Sequence, residues 1–130
     1  MFNFKKYYIM KERIFSDTQL YVSGVAYLKG LHKIVTNMSR DNKKYFGDKL
    51  INPMNEFIMN FSLSYKENNN SKKLQYAIDA NYCLDMLEIE LDILRGIEVL
   101  TMKQFSYLFK EIGMLKIQTN GWIKSLENKI

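Results

Sequence analysis

The chain has 130 residues, of which 47% are apolar and 25% are charged, and its net charge is +5. This is the size and composition of one globular domain with one core, and a single proline with six glycines is too few for a loop-rich β protein. The low proline and glycine content therefore favours helices. The lone Cys83 excludes an intramolecular disulfide, and the charged start is unlike a signal peptide, so we expect a cytoplasmic protein. No uncharged run approaches the roughly 20 residues that cross a bilayer, so we also expect the protein to be soluble.

Residues 1 to 15 form a basic and aromatic extension that precedes the first helical pattern. Its segment FNFKKYYIMKER alternates rings that can stack on bases with cations that can neutralise phosphates, as single-stranded nucleic-acid binders do. A short segment that packs its aromatic side chains on a helical bundle has the same composition. Both interpretations stay open.

The first helix is predicted over residues 17 to 38, where apolar residues recur at steps of three and four, and Ser16 or Asp17 can cap its start. A basic cluster follows at the turn into the second helix. It comprises Arg40, Lys43, Lys44 and Lys49. Charge alone explains this cluster as a contribution to solubility.

The second helix is predicted over residues 43 to 66, with Pro53 in its middle. A proline there removes one backbone hydrogen bond, so either the helix kinks or it begins with Asn52 as its cap. Because Phe46 and Leu50 are in phase with Met54, we expect the kink.

The third helix is predicted over residues 71 to 98 and carries two apolar rows. The expected core row comprises Leu74, Ala77, Ile78, Asn81, Leu84, Leu87, Leu91 and Leu94, and the second row comprises Tyr82, Met86, Ile89 and Ile93. A helix with two apolar faces is either central in its domain or also contacts another subunit. The carboxylates Asp85, Glu88 and Asp92 share one face, which we interpret as solvated or ion-paired rather than metal-binding.

The fourth helix is predicted over residues 101 to 127, with Thr101 as cap and Gln104 completing a capping box. Its apolar face includes the only tryptophan, Trp122, which we interpret as a core anchor, with a subunit interface as the alternative. Gly113 and Gly121 interrupt the pattern without breaking its phase. We expect them to permit close approach of a neighbouring helix or of the Trp122 ring.

Short links between four long helices predict an antiparallel up-down four-helix bundle. Residues 1 to 50 carry ten Lys and Arg against four Asp and Glu, residues 51 to 100 carry four against eight, and residues 101 to 130 carry five against two. Because such a bundle places both basic ends of the chain on neighbouring helices, we expect one positive face and one negative face.

We expect no enzymatic activity, cofactor or metal site. His32 is the only histidine, so a di-iron site of the Glu-x-x-His kind cannot form, and no motif for phosphate binding, zinc or acyl transfer is present. Cys83 lies within an apolar helical stretch without a histidine nearby in the sequence, so we interpret it as a small buried apolar residue.

The segment KKLQYAIDANYCLDMLEIELDILRGIEVLTMKQFSYLFKEI, followed by NGWIKSL, resembles the accessory variability determinant (Avd) family of diversity-generating retroelements. The same bundle family includes proteins encoded in intervening sequences of bacterial large-subunit ribosomal RNA genes. The resemblance rests on Leu84, Leu87, Leu91, Leu94, Arg95, Thr101, Phe105, Gly121, Trp122, Ile123 and Lys124.

This resemblance implies a non-enzymatic four-helix bundle that assembles as a pentameric barrel. It also implies binding to the retroelement's reverse transcriptase and to template-repeat RNA or an RNA/DNA hybrid, in support of mutagenic cDNA synthesis. On charge and expected exposure, the candidate nucleic-acid contacts are Arg40, Lys43, Lys44, Lys49, Lys116 and Lys124. The alternative is an intervening-sequence type of bundle that acts only as a structural or protein-interaction module.

Overall fold

A computed structural model describes residues 18 to 130, which form four α-helices and, within that range, no strand. The helices are α1, Gln19–Thr36; α2, Arg40–Lys66; α3, Asn70–Gly96; and α4, Met102–Glu127. Their ends differ from the predicted ranges by at most three residues. The extension over residues 1 to 15 lies outside the described residues, so both interpretations of it stay predictions.

A hydroxyl or amide side chain caps the start of every helix. Ser39 accepts from the backbone N–H of Asn42, and Asn69 likewise caps α3. The capping box at α4 is confirmed, since Thr101 Oγ1 accepts from Gln104 N at 3.1 Å and Gln104 Oε1 accepts from Thr101 N at 3.0 Å. The cap of α1 is Thr18, so the prediction of Ser16 or Asp17 is wrong.

The four helices form a bundle in which each contacts the next along the chain and α1 also contacts α4. The links between consecutive helices are three, three and five residues long. In the last link Glu98 takes a left-handed backbone conformation with φ of 63°, and the buried Leu100 anchors the turn. Of the four contacts between pairs of helices, the contact between α1 and α4 is the least extensive. We call the line along which these two helices meet the open seam.

The core lies along the apolar faces that the helical spacing predicts, with α3 contributing the longest row. Its buried members are Ala77, Ala80, Cys83, Leu84, Leu87, Leu91 and Leu94. Leu74, Ile78 and Asn81 are only partly buried, because Ala80 and Cys83 take the inward positions towards this end of the helix. The apolar positions of α2 that are fully buried include Leu50, Met54 and Phe57.

The helix α2 runs without interruption through Pro53, which is buried. A helix starting at Asn52 is therefore wrong, and the phase that joins Leu50 to Met54 reflects one continuous element.

The glycines that allow close packing are Gly24 and Gly47. A Cβ atom added at Gly47 would lie 3.1 Å from Val35 Cγ1, and one added at Gly24 would lie 3.3 Å from Phe57 Cε1. Among the described residues, no atom of another helix lies within 4 Å of a Cβ added at Gly113 or Gly121. The expectation that these two glycines admit a neighbouring helix is wrong, because the space beside each of them is open.

Trp122 joins the end of α4 to the end of α2. Its indole N–H donates to Ser64 Oγ at 2.9 Å, its ring stacks on Tyr65 with 6.5 Å between centroids, and it meets the edge of Phe61 at 6.3 Å. These contacts fit the interpretation of Trp122 as a core anchor.

Within residues 18 to 130, no helix combines the length and apolar character that crossing a membrane requires.

Candidate nucleic-acid interface

Four of the predicted nucleic-acid contacts lie together in the first half of α2. Arg40, Lys43, Lys44 and Lys49 are all exposed, and none forms an ion pair within the described part of the chain. Ser39 fixes the start of the helix, so these side chains project from a rigid element rather than from a loop. They lie within the first ten residues of α2, in a stretch that also contains the exposed Asp41 and Asp48.

Aromatic rings accompany these cations. The ammonium group of Lys44 lies 5.7 Å from the centroid of the Tyr45 ring, and that of Lys49 lies 5.9 Å from the centroid of Phe46. Tyr45 is 62% exposed, so most of its ring is free to stack on a base. We call Arg40, Lys43, Lys44, Tyr45 and Lys49 the basic-aromatic cluster.

Tyr45 is not among the contacts predicted from the sequence. The sequence feature that could have identified Tyr45 is its position directly after Lys43 and Lys44. The apolar row of this helix begins only at the next residue, Phe46, so Tyr45 lies outside that row. Lys29 and Lys33, in the second half of α1, are exposed and are likewise not among the predicted contacts.

Lys124 is exposed but does not join the basic-aromatic cluster. It lies on the last turn of α4, where the adjacent Trp122 packs on Ser64 near the end of α2. At 1.5 Å per residue, Ser64 lies about 30 Å along α2 from Lys43. Lys124 and the basic-aromatic cluster therefore lie near opposite ends of α2.

Lys116 forms an ion-paired bridge between α4 and α3. Its ammonium group lies 2.6 Å from Asp85 Oδ1 and 2.6 Å from Glu88 Oε1, and its side chain is 27% exposed. Hydrogen bonds to Asp85 and then Glu88 raise the pKa of Lys116 above its ordinary value. Lys116 is thus engaged within the bundle, and its assignment as a nucleic-acid contact does not fit this position.

The acidic face of α3 is ion-paired, which agrees with the interpretation of this face as solvated or ion-paired. Asp85 and Glu88 meet Lys116, and Asp92 Oδ1 lies 2.7 Å from Arg95 Nη2. In the described part of the chain, no three residues of the metal-ligating types cluster as a metal site would require.

The second apolar row of α3 faces outward. We call Tyr82, Met86, Ile89 and Ile93 the α3 ridge; their exposed fractions are 60%, 56%, 62% and 49%. No described element of the chain covers them. A solvent-facing row of four large apolar side chains at helical spacing is typical of a protein contact surface.

Cys83 is buried beside α2. Burial, followed by the charge of Glu56, raises the pKa of its thiol above the ordinary value, while Asn60 Nδ2 donates to Sγ at 3.8 Å. A thiol with a raised pKa is mainly protonated at neutral pH, which is a poor state for a nucleophile. This environment fits the interpretation of Cys83 as a small buried apolar residue.

The amino-acid sequence matches no protein-family model, and it has no significant match among curated proteins.

Proposed function

We propose that this chain is an accessory protein of a diversity-generating retroelement, of the Avd type. In this proposal it acts in the cytoplasm without enzymatic activity, and it binds the element's reverse transcriptase and template-repeat RNA to support mutagenic cDNA synthesis. It does so as a pentameric barrel of antiparallel up-down bundles. The resemblance of the sequence motivates the proposal.

The observation that carries the proposal is the basic-aromatic cluster. Its four cations can neutralise phosphates, and the exposed ring of Tyr45 offers a stacking surface between them. Phosphate neutralisation supplies affinity for any nucleic acid, while ring stacking favours unpaired bases. A template RNA that is read by a polymerase presents both groups.

The cations of the cluster do not stabilise the helix that carries them. The N-terminus of an α-helix is the positive end of its dipole, so Arg40 in the first turn of α2 is unfavourably placed, while Asp41 in the same turn offsets its charge. Helix electrostatics therefore cannot account for the position of the cations. An anionic partner would gain from the cations and from the helix dipole together.

Short links and sequential contacts support the antiparallel order of the bundle. Links of three to five residues leave little chain for a crossover, and α1 meets α4 to close the set. The α3 ridge supports the assembly, since exposed apolar rows are normally covered by another protein surface.

The second candidate is a bundle of the ribosomal intervening-sequence type that contacts only protein. The α3 ridge favours it as much as it favours self-assembly. In that case the basic-aromatic cluster would serve solubility, and RNA binding would be absent even at low salt.

The test is a retardation assay with template-repeat RNA at low and moderate salt, using the intact protein. A triple variant, Lys43→Gln, Lys44→Gln and Lys49→Gln, should lose at least tenfold in affinity. The matched control, Lys72→Gln, Lys110→Gln and Lys129→Gln, removes the same charge from exposed positions that are not among the predicted contacts and should retain most of the affinity. Equal losses in both triples would contradict a localised site, and absence of binding by the wild type would favour the second candidate.

A parallel co-purification with the reverse transcriptase of the proposed retroelement tests the polymerase contact. Retention of the enzyme through RNase treatment is expected. If retention requires RNA, the proposed direct contact with the enzyme is wrong.

A further inference from the structure

The α3 ridge has a defined length and an acidic border. From Tyr82 to Ile93 it spans about 16 Å of helix. Residues three or four positions away on a helix are surface neighbours, so the ridge is bordered on both sides by carboxylates. These are Asp79 and Glu90 on the side of α2, and Asp85 and Asp92 on the side of α4. Asp85 and Asp92 are ion-paired with Lys116 and Arg95, so the carboxylates without an ion pair in the described residues lie on the side of α2.

A groove of about 310 Å³ follows the open seam between α1 and α4. Its α1 side is lined by small residues, Ser23, Ala26 and Gly30, and its α4 side by Tyr107 and Met114. A Cβ atom added at Gly30 would meet nothing within 4 Å. Small residues opposite larger apolar side chains leave room for side chains that enter from outside.

The floor of this groove is fixed by a buried hydrogen bond. The Tyr27 hydroxyl donates to the carbonyl oxygen of Leu108 at 3.0 Å, which holds α1 against α4 beneath the seam. Along α1 the lining runs from Gln19 to Gly30, about 16 Å. The groove therefore has the same length as the α3 ridge and a floor that keeps its shape.

The border of the groove is basic. Lys29 and Lys33 lie three residues after Ala26 and Gly30, and Lys103 and Lys110 lie four residues before Tyr107 and Met114. All four lysines are exposed, and none is ion-paired within the described residues. The one carboxylate that lines the groove is Glu111. The groove thus carries the charge opposite to that of the ridge border.

We propose that the α3 ridge of one copy packs into the α1–α4 groove of a second copy. The two surfaces match in length, and the carboxylates along the α2 side of the ridge are opposite in charge to the lysines that border the groove. They are different surfaces of one chain, so the contact is head-to-tail, and repetition of such a contact closes into a ring when the rotation between copies allows it. The inference rests on the self-assembly contained in the proposed function and not on RNA binding.

The test uses two variants that each remove one surface. The ridge variant, Met86→Glu with Ile89→Glu, places charge on the ridge, and the groove variant, Ala26→Glu with Gly30→Glu, fills and acidifies the groove. All four positions lie on the outer side of the bundle or in the open seam, so folding should be retained, as far-UV circular dichroism can check. The matched control is Met59→Glu with Leu63→Glu, two exposed apolar residues of α2 outside both surfaces.

Native mass spectrometry and sedimentation then measure each protein alone and in an equimolar mixture. The wild type and the control should assemble, and each surface variant should stay at the 15.5 kDa mass of one chain. The mixture should form a 1:1 heterodimer and nothing larger, since only one intact ridge and one intact groove remain per pair. A monomeric wild type, assembly of either variant alone, or a mixture that stays monomeric would each overturn the proposal.

These outcomes are separable from those of the RNA assay. Loss of the heterodimer with intact RNA retardation would refute the head-to-tail contact alone. Heterodimer formation without any RNA binding would refute the proposed function and leave this contact in place.

Discussion

Tyr27 is a buried tyrosine whose hydroxyl lies between α1 and α4. Burial raises the pKa of its phenol above the ordinary value, and the charges of Glu111 and Glu88 raise it further. The hydroxyl stays protonated and donates to Leu108 O across the α1–α4 seam. A neutral buried phenol with one satisfied donor can join two helices at little desolvation cost.

Replacement of Tyr27 by Phe should lower the free energy of unfolding by about 1 kcal/mol at neutral pH, because one buried hydrogen bond is lost and the ring remains. The stabilising form is the protonated phenol, whose folded pKa is raised. Its contribution is complete below the ordinary pKa of 10.0 and is lost as the pH rises through the folded value. Urea unfolding of both proteins, at neutral and strongly alkaline pH, should therefore show a difference that narrows only at the alkaline end. A difference that is already absent at neutral pH would contradict this account.

Replacement of Lys116 by Gln should cost about 1 kcal/mol of unfolding free energy, a modest value because Asp85 is 42% exposed and solvent screens the pair. The raised pKa of Lys116 means that its contribution is complete below the ordinary lysine value of 10.5 and is lost as the pH rises through the folded value. Urea unfolding measures both effects. Lys110→Gln, on the same helix but without an ion pair, is the control and should lie within about 0.5 kcal/mol of wild type.

At the scale of the helices, the six glycines are not equivalent. Gly47 is buried where α1 crosses α2, with Val35 Cγ1 at 3.1 Å from an added Cβ, whereas Gly113 has open space around it. A β-branched neighbour such as Val35 has few rotamers into which it can withdraw. The same residue type is therefore a packing requirement on α2 and a cost to helix stability on α4.

Replacement of Gly113 by Ala should raise the free energy of unfolding by roughly 0.5 to 1 kcal/mol, because alanine restricts the unfolded chain and favours helix. Gly47→Ala should lose this gain and destabilise the protein, since Val35 must move. Denaturant midpoints of the two variants give the comparison. A destabilising Gly113→Ala would mean that another surface contacts α4 at this position.

The helix α3 is apolar on two opposite faces, and the bundle buries only one of them. Leu84, Leu87 and Leu91 are fully buried, while Met86 and Ile89 are more than half exposed. Helical spacing alone predicts both rows. The row expected to form the core is the buried one, and the positions of α2 and α4 leave the other row uncovered.

For the whole molecule, the distribution of charge matters more than the net value of +5. Unpaired cations concentrate from Lys29 to Lys49, where α1 ends and α2 begins. Five of the eight carboxylates in residues 51 to 100 lie on α3, and three of these five are ion-paired with Lys116 or Arg95. The chain thus presents a basic surface and an acidic surface on different helices.

Salt dependence tests whether the basic surface binds RNA phosphates. Each neutralised phosphate contributes about 0.7 to the slope of log affinity against log salt for a single strand, so the Lys43, Lys44 and Lys49 triple glutamine variant should reduce that slope by about 2. Fluorescence anisotropy titrations at several salt concentrations measure it. An unchanged slope would show that these lysines make no phosphate contact, whatever the change in affinity.

The sequence alone determined the four helices, the capping box at Thr101 and the two rows of α3, because these depend on spacing and on contacts between residues close along the chain. It also located the cationic start of α2, although it did not include Tyr45. It could not separate Lys116 from the other lysines, because the carboxylates that engage Lys116 lie on a different helix.

Only the tertiary structure decided the contacts between helices. It placed Lys116 between Asp85 and Glu88, put Trp122 on Ser64 and Tyr65, and left Gly113 and Gly121 without a neighbouring helix. It also opened the seam between α1 and α4 and left the α3 ridge uncovered. These features depend on which faces of distant segments meet, and that choice is made by packing of the whole core rather than by any local pattern.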